Sequence, residues 1–332
     1  MANNHASDTE ILRPDTELCI QFAHPTYRFA ETIRSRNVNY KYFQTWNTKE
    51  TLAEIEKADV LAISGFWEDG LLEKAGKLKY IQSISAGYEQ FPLDKLKSLG
   101  IRLCTASGVN ADAVSHHAMG LVLSLARQLH IARDNQTTQH WRSWISDRNE
   151  REQDLSKKTM LIIGLGEIGS RLSRIAKAFG MIVIGVKNDI TKHNGSVDEL
   201  HPTTKFKYLL KKADFVVLTC PLTPDTRNLI DETAIAEMQE SCYLINVARG
   251  GCINEKALLQ ALKNRQIAGA AIDHFLDEPL PQSSPFWSIE NLIITPHTGG
   301  ETAKYEDNLI DILLENIRCL NNKGLTEINR VV

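Results

Sequence analysis

Three glycines stand between an apolar run and a helical pattern in residues 160–180, MLIIGLGEIGSRLSRIAKAFG. Gly164, Gly166 and Gly169 form the spacing G-x-G-x-x-G. In a turn from a parallel strand into a helix, the first glycine permits a sharp bend and the second lets another molecule approach the backbone. The third lets helix and strand pack closely. The pattern therefore predicts a β-α unit whose helix N-terminus presents free N–H groups to an anion.

Short apolar runs alternate with helical patterns on both sides of this motif. The earlier runs are ELCIQFA, VNYKYFQT, ADVLAIS, LKYIQSIS and IRLCTAS. The later runs are TMLIIGL, MIVIGVK, ADFVVLTC, CYLINVA, IAGAAIDHF and NLIITPH. Such alternation is typical of parallel sheets covered by helices, and the later runs are apolar enough for strands buried on both faces. The sequence predicts an α/β protein with two doubly wound parallel-sheet domains and a cleft between them.

Two helical segments are predicted to connect these domains. One is a long helix over 111–133, where leucines and alanines keep to a broad face, and the other begins near residue 305 and returns to the first domain. The predicted domains are therefore residues 1–110 with 300–332, and residues 111–299. The first dozen residues are the part predicted to be disordered. The second helix is predicted from the apolar residues Tyr305, Leu309, Ile312, Leu313 and Ile317.

The composition gives no electrostatic reason for binding nucleic acid or anionic membranes. Of 332 residues, 42% are hydrophobic and 24% are charged, and the net charge is -3. The chain is long enough for two domains but lacks the positive charge that phosphate backbones attract. No apolar run approaches the roughly 20 residues of a membrane-spanning helix, and the opening MANNHASDTE is unlike a signal peptide. We expect a cytoplasmic protein with no nucleic-acid or membrane partner.

No residue spacing in the sequence predicts a metal site. His116 and His117 are adjacent, and neighbouring side chains on a helix point about 100° apart rather than toward one ion. The cysteines have no C-x-x-C spacing, so we expect them to be structural thiols. They are Cys19, Cys104, Cys220, Cys242, Cys252 and Cys319.

The glycine motif in its strand-to-helix context predicts dinucleotide binding, with glycines that serve only packing as the alternative. The residue that reads the adenosine ribose lies about 20 residues beyond such a motif, at the tip of the next strand. That tip, in MIVIGVKND, presents Lys187 and Asn188 where an NAD-selective site offers a carboxylate to the 2′-hydroxyl. Lysine favours a 2′-phosphate instead, so we expect NADP to be preferred. Asp189 is close enough to take the acidic role, which leaves NAD open.

The motifs together resemble those of the D-2-hydroxyacid dehydrogenases, a family that includes glyoxylate/hydroxypyruvate reductases and phosphoglycerate dehydrogenase. The resemblance covers nearly the whole chain. The motifs are SISAGYEQ, GVNADAV, GLGEIG, CPLTPDTRNLI, NVARGGCINEKAL, AAIDHFLDEPLP and TPHTGG. The resemblance implies a Rossmann cofactor domain inserted into a flavodoxin-like substrate domain.

The resemblance also implies three catalytic residues, Arg249, Glu278 and His297. Arg249 follows an apolar strand, and its planar guanidinium suits the carboxylate of a 2-oxo acid. His297 closes another strand and is a group that exchanges protons near neutral pH. A hydrogen bond from the far nitrogen of His297 to Glu278 would raise the pKa of the imidazole. We expect this pair to deliver a proton to the carbonyl oxygen as hydride reaches the carbon.

Further site positions come from the resemblance alone. The backbone N–H groups of Ala86 and Gly87 are expected to bind the substrate carboxylate, with a plain turn as the alternative. Arg249 and His297 are also expected to contact substrate, and Asp273 is expected to accept a hydrogen bond from the nicotinamide carboxamide. The other expected cofactor contacts are Glu167, Ile168, Cys220, Pro221, Thr226, Val247, Ala248 and Gly299.

Two positions depart from the family's pattern. Ser115, His116 and His117 stand where relatives often have Ala-Glu-His, so a charge often found near the cofactor helix is missing. His274 follows Asp273 where an apolar residue is usual, which could alter the surface or an interface.

The resemblance implies a reductase that uses NAD(P)H to convert small 2-oxo acids, glyoxylate or hydroxypyruvate first, into D-2-hydroxy acids. It also implies a homodimer, with the helix over 111–133 as a contact. Phosphoglycerate is less favoured because the substrate loop has no arginine cluster and no added domain follows INRVV. Formate oxidation fits poorly because relatives that perform it carry glutamine at the position of Glu278. A dinucleotide-sensing corepressor on the same fold is the alternative from another class of protein, since fold does not decide function.

Overall fold

The computed structural model of the chain describes Leu12 and residues 17–191, 195–322 and 324–332. The chain divides into two compact units: Met1–Asn110 with Thr302–Val332 form the first, and Ala111–Glu301 form the second. The predicted disorder of the first dozen residues lies outside the described residues, except at Leu12, which is buried. The assignment of substrate to one unit and cofactor to the other stays a prediction.

The described residues form twelve strands and eleven α-helices. The strands are β1 (Cys19–Ala23), β2 (Lys41–Thr45), β3 (Val60–Ile63), β4 (Tyr80–Ser83), β5 (Arg102–Cys104), β6 (Thr159–Ile163), β7 (Ile182–Lys187), β8 (Glu199–Pro202), β9 (Phe215–Leu218), β10 (Tyr243–Asn246), β11 (Gly269–Ile272) and β12 (Leu292–Ile294). The helices are α1 (Phe29–Arg34), α2 (Thr48–Glu54), α3 (Leu71–Lys74), α4 (Leu93–Ser98), α5 (Ala111–Ala126), α6 (Leu129–Thr137), α7 (Glu167–Ala178), α8 (Phe206–Leu210), α9 (Glu232–Ala236), α10 (Glu255–Lys263) and α11 (Tyr305–Asn321).

The first unit is built on a parallel five-stranded sheet in the order β2-β1-β3-β4-β5. This is the strand order of flavodoxin-like folds. Alternate residues of β3 enter different apolar clusters, with Val60 and Ala62 in one and Leu61 and Ile63 in the other. Both faces of the sheet are therefore covered, as continuous apolar strands require. The C-terminal helix α11 packs against α1 in this unit.

The second unit is built on a parallel seven-stranded sheet in the order β12-β11-β10-β9-β6-β7-β8. This is the Rossmann order extended by one strand. Met160 and Ile162 of β6 face one apolar cluster, and Leu161 and Ile163 face the other. The chain order reverses between β6 and β9, and ligands of such sheets bind outside the carboxyl ends of the strands at this point. A ligand site is therefore expected at that edge of the sheet.

The single helix predicted over 111–133 is wrong. Gln128 has a φ of 51°, a left-handed conformation that interrupts α-helical geometry. Helix α5 therefore ends at Ala126, and a second helix, α6, begins at Leu129. The apolar face that the sequence indicates belongs to α5, whereas no residue of α6 is buried.

Strand β8 was not predicted, because its sequence ELHP lacks an apolar run. It pairs with β7 at the end of the sheet, and its residues are only half-buried. Edge strands tolerate polar residues and proline because one side of the strand makes no ladder hydrogen bonds. A polar edge strand of this kind leaves little signal in hydrophobic patterning.

The cysteines are unpaired thiols, and all six except Cys19 are buried. This arrangement agrees with their scattered spacing in the sequence. Among the described helices, none combines the length and apolarity needed to cross a bilayer.

Candidate active site

The glycine turn joins β6 to α7 in the second unit. Gly164 has a φ of 106°, and a Cβ atom there would lie 2.5 Å from the backbone nitrogen of Cys220. A Cβ atom at Gly169 would lie 2.4 Å from the carbonyl oxygen of Gly164. At Gly166, which caps α7, a Cβ atom would meet nothing within 4 Å. The turn and the packing thus require two of the glycines, and the backbone at Gly166 is open to a ligand at the helix N-terminus.

A cavity of about 270 Å³ lies beside this turn. It is at the carboxyl ends of β6, β7 and β9, where the strand order reverses. Seven of the predicted cofactor residues line it, namely Gly164, Gly166, Lys187, Asn188, Cys220, Pro221 and Thr226. The Thr226 hydroxyl donates to the carbonyl oxygen of Pro221 at 2.6 Å, which fixes the loop after β9. The shape and place of the cavity suit a dinucleotide.

Seven other predicted cofactor residues lie outside the wall of this cavity: Gly169, Asp273, Gly299 and the four described next. Glu167 opens α7 and forms an ion pair with Arg171 at 2.5 Å, and Ile168 is half-buried on the same helix. Val247 and Ala248 are buried after β10. Their contact with a cofactor stays a prediction.

The end of β7 presents a positive charge to the cavity. Lys187 is the last residue of the strand and lines the cavity with Asn188, whose side-chain oxygen accepts from the Thr203 hydroxyl at 2.8 Å. Asp189 does not line the cavity. Its carboxylate accepts hydrogen bonds from the hydroxyl and backbone N–H of Thr191, and these bonds lower the pKa of Asp189. The cavity wall therefore offers an ammonium group where an NAD-selective site offers a carboxylate.

Arg249 stands on a loop that a buried asparagine shapes. Asn246, the last residue of β10, donates from its side chain to the carbonyl oxygen of Arg249 at 3.0 Å and accepts from the N–H of Ala248 at 3.0 Å. A Cβ atom at Gly250 would lie 2.2 Å from the backbone of Phe275, so only glycine fits there. The guanidinium is exposed and donates to the carbonyl oxygen of Ala248 at 2.7 Å. This loop fixes the backbone of Arg249 and leaves its side chain accessible to an anion.

Asp273 follows β11 and anchors the segment after β12. Its buried carboxylate accepts from the Thr295 hydroxyl at 2.5 Å and from the backbone N–H groups of Thr298 and Gly299 at 3.0 Å each. His117 lies 3.5 Å from the same carboxylate. Burial raises the pKa of Asp273, but the hydrogen bonds outweigh it and hold the pKa well below its usual range. Asp273 therefore stays charged and fixes the turn that carries the predicted histidine.

Glu278 and His297 are in direct contact. Glu278 Oε2 lies 2.7 Å from His297 Nδ1, and Glu278 Oε1 accepts from the backbone N–H of Phe275 at 3.0 Å. Burial acts to raise the pKa of Glu278, but these two contacts lower it overall. Because Nδ1 of His297 is occupied by the carboxylate, Nε2 is the nitrogen left for a substrate. The side chain of His297 is 53% exposed, so that nitrogen has access to a ligand.

His274 packs against this pair. Its ring centroid lies 3.8 Å from that of His297, and its Nδ1 lies 3.6 Å from Glu278 Oε1. Burial, the charge of His297 and the charge of Arg249 lower the pKa of His274 to about 4, against the opposing effect of the carboxylates. His274 is therefore a neutral ring at physiological pH, beside the exposed His297.

The predicted substrate loop, with Ala86 and Gly87, belongs to the first unit. The carbonyl oxygen of Gly87 accepts from the hydroxyls of Ser83 and Ser85 at 3.2 and 3.0 Å. Within the described parts of the chain, the backbone N–H groups of Ala86 and Gly87 make no hydrogen bond to the protein. The serines thus hold the loop in shape through its carbonyl, and the N–H groups are available to an anion.

The chain is similar to proteins that are already known. The family model for the D-isomer specific 2-hydroxyacid dehydrogenase, NAD binding domain, matches residues 119–299. A D-3-phosphoglycerate dehydrogenase of Methanocaldococcus jannaschii is 36% identical over 84% of this chain, which spans 53% of that longer protein. A glyoxylate reductase/hydroxypyruvate reductase of Mus musculus is 33% identical over 74% of this chain and 75% of its own length. The chain belongs to the D-isomer specific 2-hydroxyacid dehydrogenase family.

A solved member of this family shows the same fold over almost the whole chain. The crystal structure of a D-isomer specific 2-hydroxyacid dehydrogenase family protein from Aeromonas salmonicida superposes with a TM-score of 0.81 at 27% identity. The match covers 95% of this chain and 99% of the other. The α/β class with two parallel-sheet domains, a nicotinamide dinucleotide as the kind of cofactor and membership of an oxidoreductase family are thereby confirmed.

The two departures from the pattern of 2-hydroxyacid dehydrogenases have different places in the structure. His116 is exposed on α5. His117 Nε2 lies 3.1 Å from the Thr295 hydroxyl, which itself donates to Asp273. His274 is buried in the site, in contact with His297. The change at position 274 therefore affects the proposed chemistry more directly than the change at 116.

Sequence reasoning did not identify Asn246 or His117 as site residues. Asn246 is a fully buried polar residue at the end of an apolar strand, YLIN, and buried polar side chains normally have a specific hydrogen-bonding role. That signal was available in the sequence. The role of His117 could not be predicted from the sequence, because its partners Thr295 and Asp273 are distant in the chain.

We predict that Asp273→Asn destabilises the protein by about 2–4 kcal/mol at pH 7, because a buried charge with several donors is lost. The pKa of Asp273 is lower in the folded protein than in the unfolded chain, so its contribution is complete above the unfolded pKa of about 4. The contribution is lost as pH falls through the folded pKa. Urea unfolding from pH 7 to pH 3 should therefore show a constant gap between the proteins that narrows below about pH 4.

Asp134→Asn, at an exposed position of α6, is the matched control and should change stability little. Equal stability of Asp273→Asn and the wild type at pH 7 would contradict the anchoring role. A gap that widens on acidification would contradict the sign of the pKa shift.

Proposed function

We propose that the protein reduces small 2-oxo acids, glyoxylate and hydroxypyruvate first, to D-2-hydroxy acids and that it prefers NADPH to NADH. The observation that carries this proposal is the 2.7 Å contact between Glu278 Oε2 and His297 Nδ1, with an exposed Arg249 after β10 at the same edge of the sheet. Reduction of a carbonyl to an alcohol needs a proton at the oxygen, and a histidine backed by a carboxylate is suited to supply it.

Each of the three residues has one task in this proposal. His297 donates a proton from Nε2 to the carbonyl oxygen in the reductive direction and accepts it back in the oxidative direction. Glu278 keeps Nδ1 as the donor to its carboxylate and stabilises the imidazolium, since an adjacent negative charge favours the protonated ring. Arg249 binds the substrate carboxylate through its planar guanidinium. The bound nicotinamide would supply the hydride.

The residues of the glycine turn suit the pyrophosphate of such a cofactor. The backbone at Gly166 is open and Gly166 caps the N-terminus of α7, so N–H groups and the helix dipole favour an anion there. Lys187 supports a preference for NADPH, because its ammonium can pair with a 2′-phosphate. The predicted role of Asp273 toward the carboxamide stays a proposal, because its oxygens already accept protein hydrogen bonds.

We further propose that the enzyme is a cytoplasmic homodimer. In support of a protein interface, Trp141 and Trp144 are 95% and 100% exposed in the segment that follows α6. Large aromatic side chains in one exposed segment are typical of interfaces. This segment, rather than a continuous helix over 111–133, is the better candidate for the contact.

The proposal is tested by following the oxidation of NADPH and NADH with a panel of 2-oxo acids. We expect turnover with glyoxylate and hydroxypyruvate, and a D-configured product where the product is chiral. Oxidation of 3-phosphoglycerate with NADP or NAD is the competing arm, because the archaeal relative is named for that substrate. Failure to turn over any 2-oxo acid would contradict the proposed activity and leave dinucleotide sensing as the alternative.

We predict that His297→Ala lowers kcat by roughly 100-fold or more, because general acid catalysis contributes about 100- to 10,000-fold. Initial rates of NADPH oxidation at saturating substrate and cofactor measure kcat. His201→Gln is the matched control, because His201 also pairs with a glutamate, at 2.9 Å, but lies on the edge strand β8. Near-normal turnover of His297→Ala would remove His297 from the proton-donor role.

We predict that Lys187→Asp shifts the ratio of kcat/KM values for NADPH and NADH toward NADH, because a carboxylate repels the 2′-phosphate and accepts from a 2′-hydroxyl. A tenfold or greater shift is expected, corresponding to about 1.4 kcal/mol. Lys263→Asp, an exposed change at the end of α10, makes the same charge change elsewhere in the unit. An unchanged ratio would mean that another residue reads the ribose.

A further inference from the structure

Three side chains of the second unit, His274, Glu278 and His297, place possible metal-ligand atoms within 4.8 Å of one another. We propose that they bind a divalent transition metal ion, Zn²⁺ first, and that this ion reversibly inhibits the enzyme. The sequence predicts no such site, because His274 and His297 are far apart in the chain and lack ligand spacing. The fold brings them together at the ends of β11 and β12.

The distances suit a small ion held by two imidazoles and a carboxylate. Glu278 Oε2 lies 2.7 Å from His297 Nδ1, and Glu278 Oε1 lies 3.6 Å from His274 Nδ1. Two ligand atoms bound tetrahedrally to zinc at about 2.1 Å are roughly 3.4 Å apart. The observed separations lie on either side of that value, so small side-chain rotations suffice to bring the three groups onto one ion.

The surroundings of the three groups also favour a cation. The side chain of His274 is only 7% exposed, so the surrounding protein holds it in place. The side chains of Glu278 and His297 are 35% and 53% exposed and leave an entry path for an ion. The carboxylates of Glu278 and Asp273 place two negative charges near His274, and these attract a cation. Burial of one ligand and exposure of the others permit binding without unfolding.

A further carboxylate lies behind the proposed ligand His274. Asp273 Oδ2 is 3.6 Å from His274 Nε2, the ring nitrogen opposite the one that faces Glu278. In metal sites the second ring nitrogen of a ligating histidine commonly donates to a carboxylate, which fixes the tautomer and increases the basicity of the ligand. A slight closure of this distance would give that arrangement.

The donor set indicates which ions bind. Imidazole nitrogen suits Zn²⁺, Cu²⁺ and Ni²⁺, whereas Mg²⁺ and Ca²⁺ require oxygen ligands. Two histidines and one glutamate form a three-ligand zinc site with an open fourth position in some hydrolases. We therefore expect Zn²⁺ to bind and Mg²⁺ not to compete at millimolar concentration.

The inhibitory consequence rests on the function proposed above. An ion on Nδ1 of His297 takes the place of the proton that Glu278 stabilises there. The ring can then no longer become an imidazolium, so it has no proton to donate from Nε2 without becoming an anion. Bound Zn²⁺ should therefore suppress carbonyl reduction, and a chelator should restore it.

The test measures metal binding directly, with neither substrate nor cofactor present. Titration of the full chain with ZnCl₂ by calorimetry should show one ion per chain, and Co²⁺ should give the visible absorption of a four- or five-coordinate ion. His274→Phe, which keeps a buried ring, should weaken Zn²⁺ binding at least about tenfold, since loss of even an outer-sphere partner costs about 10- to 100-fold. His201→Gln should bind Zn²⁺ as the wild type does.

Each outcome decides the proposal. Absence of a Zn²⁺ isotherm in the wild type, or equal affinity in His274→Phe, overturns the site. If His274→Phe fails to fold by circular dichroism, Glu278→Gln replaces it, with the same expected tenfold loss. Zn²⁺ binding in a protein that reduces no 2-oxo acid overturns the proposed function and not the site. Binding without inhibition of an active enzyme overturns the inhibitory role.

Discussion

The buried carboxylate of Asp273 holds the segment on which the proposed chemistry depends. Its removal from water is costly unless donors compensate for it, and here Thr295, Thr298 and Gly299 supply them. These bonds fix the residues on both sides of His297. They stabilise a backbone φ of 54° at His297, a conformation that costs a residue other than glycine about 1–3 kcal/mol. The direction of the imidazole is therefore set by an anion that is not itself proposed to react.

Sheet topology explains why residues so distant in the chain form one site. Strands β10, β11 and β12 are adjacent and parallel, so their carboxyl ends lie at the same edge. Arg249 follows the first of these strands, Asp273 the second and His297 the third. The glycine turn after β6 lies at the same end of the sheet. One edge thus carries the proposed groups for anion binding, proton transfer and cofactor binding.

The elements that the sequence predicts well are those specified by local pattern. Eleven of the twelve strands correspond to apolar runs, and the conformations at Gly164 and Gly169 follow from their place between β6 and α7. The exceptions have physical reasons. The polar edge strand β8 lacks a hydrophobic pattern, and the break at Gln128 uses a residue with no strong preference for a left-handed conformation.

The catalytic candidates could be assigned from motifs, but the contacts around them could not. The pairing of Glu278 with His297 was predicted, and the structure places them 2.7 Å apart. The contact of His274 with the same pair was not predicted, because it depends on how the loop after β11 turns back toward the end of β12. Hydrophobic periodicity contains no information on such loops, whose course is determined by specific hydrogen bonds such as that from Phe275 to Glu278.

The position of His274 changes what the Glu278 and His297 pair can bind. A carboxylate next to an imidazole stabilises added positive charge, whether that charge is a proton on the ring or a metal ion between the two groups. With an apolar neighbour, two ligands are too few to hold a transition metal ion against water. A second imidazole within reach of the same carboxylate adds a third ligand at a rigid, buried position. The electrostatic arrangement that suits proton donation therefore becomes, through this one residue, an arrangement in which a metal ion competes with the proton.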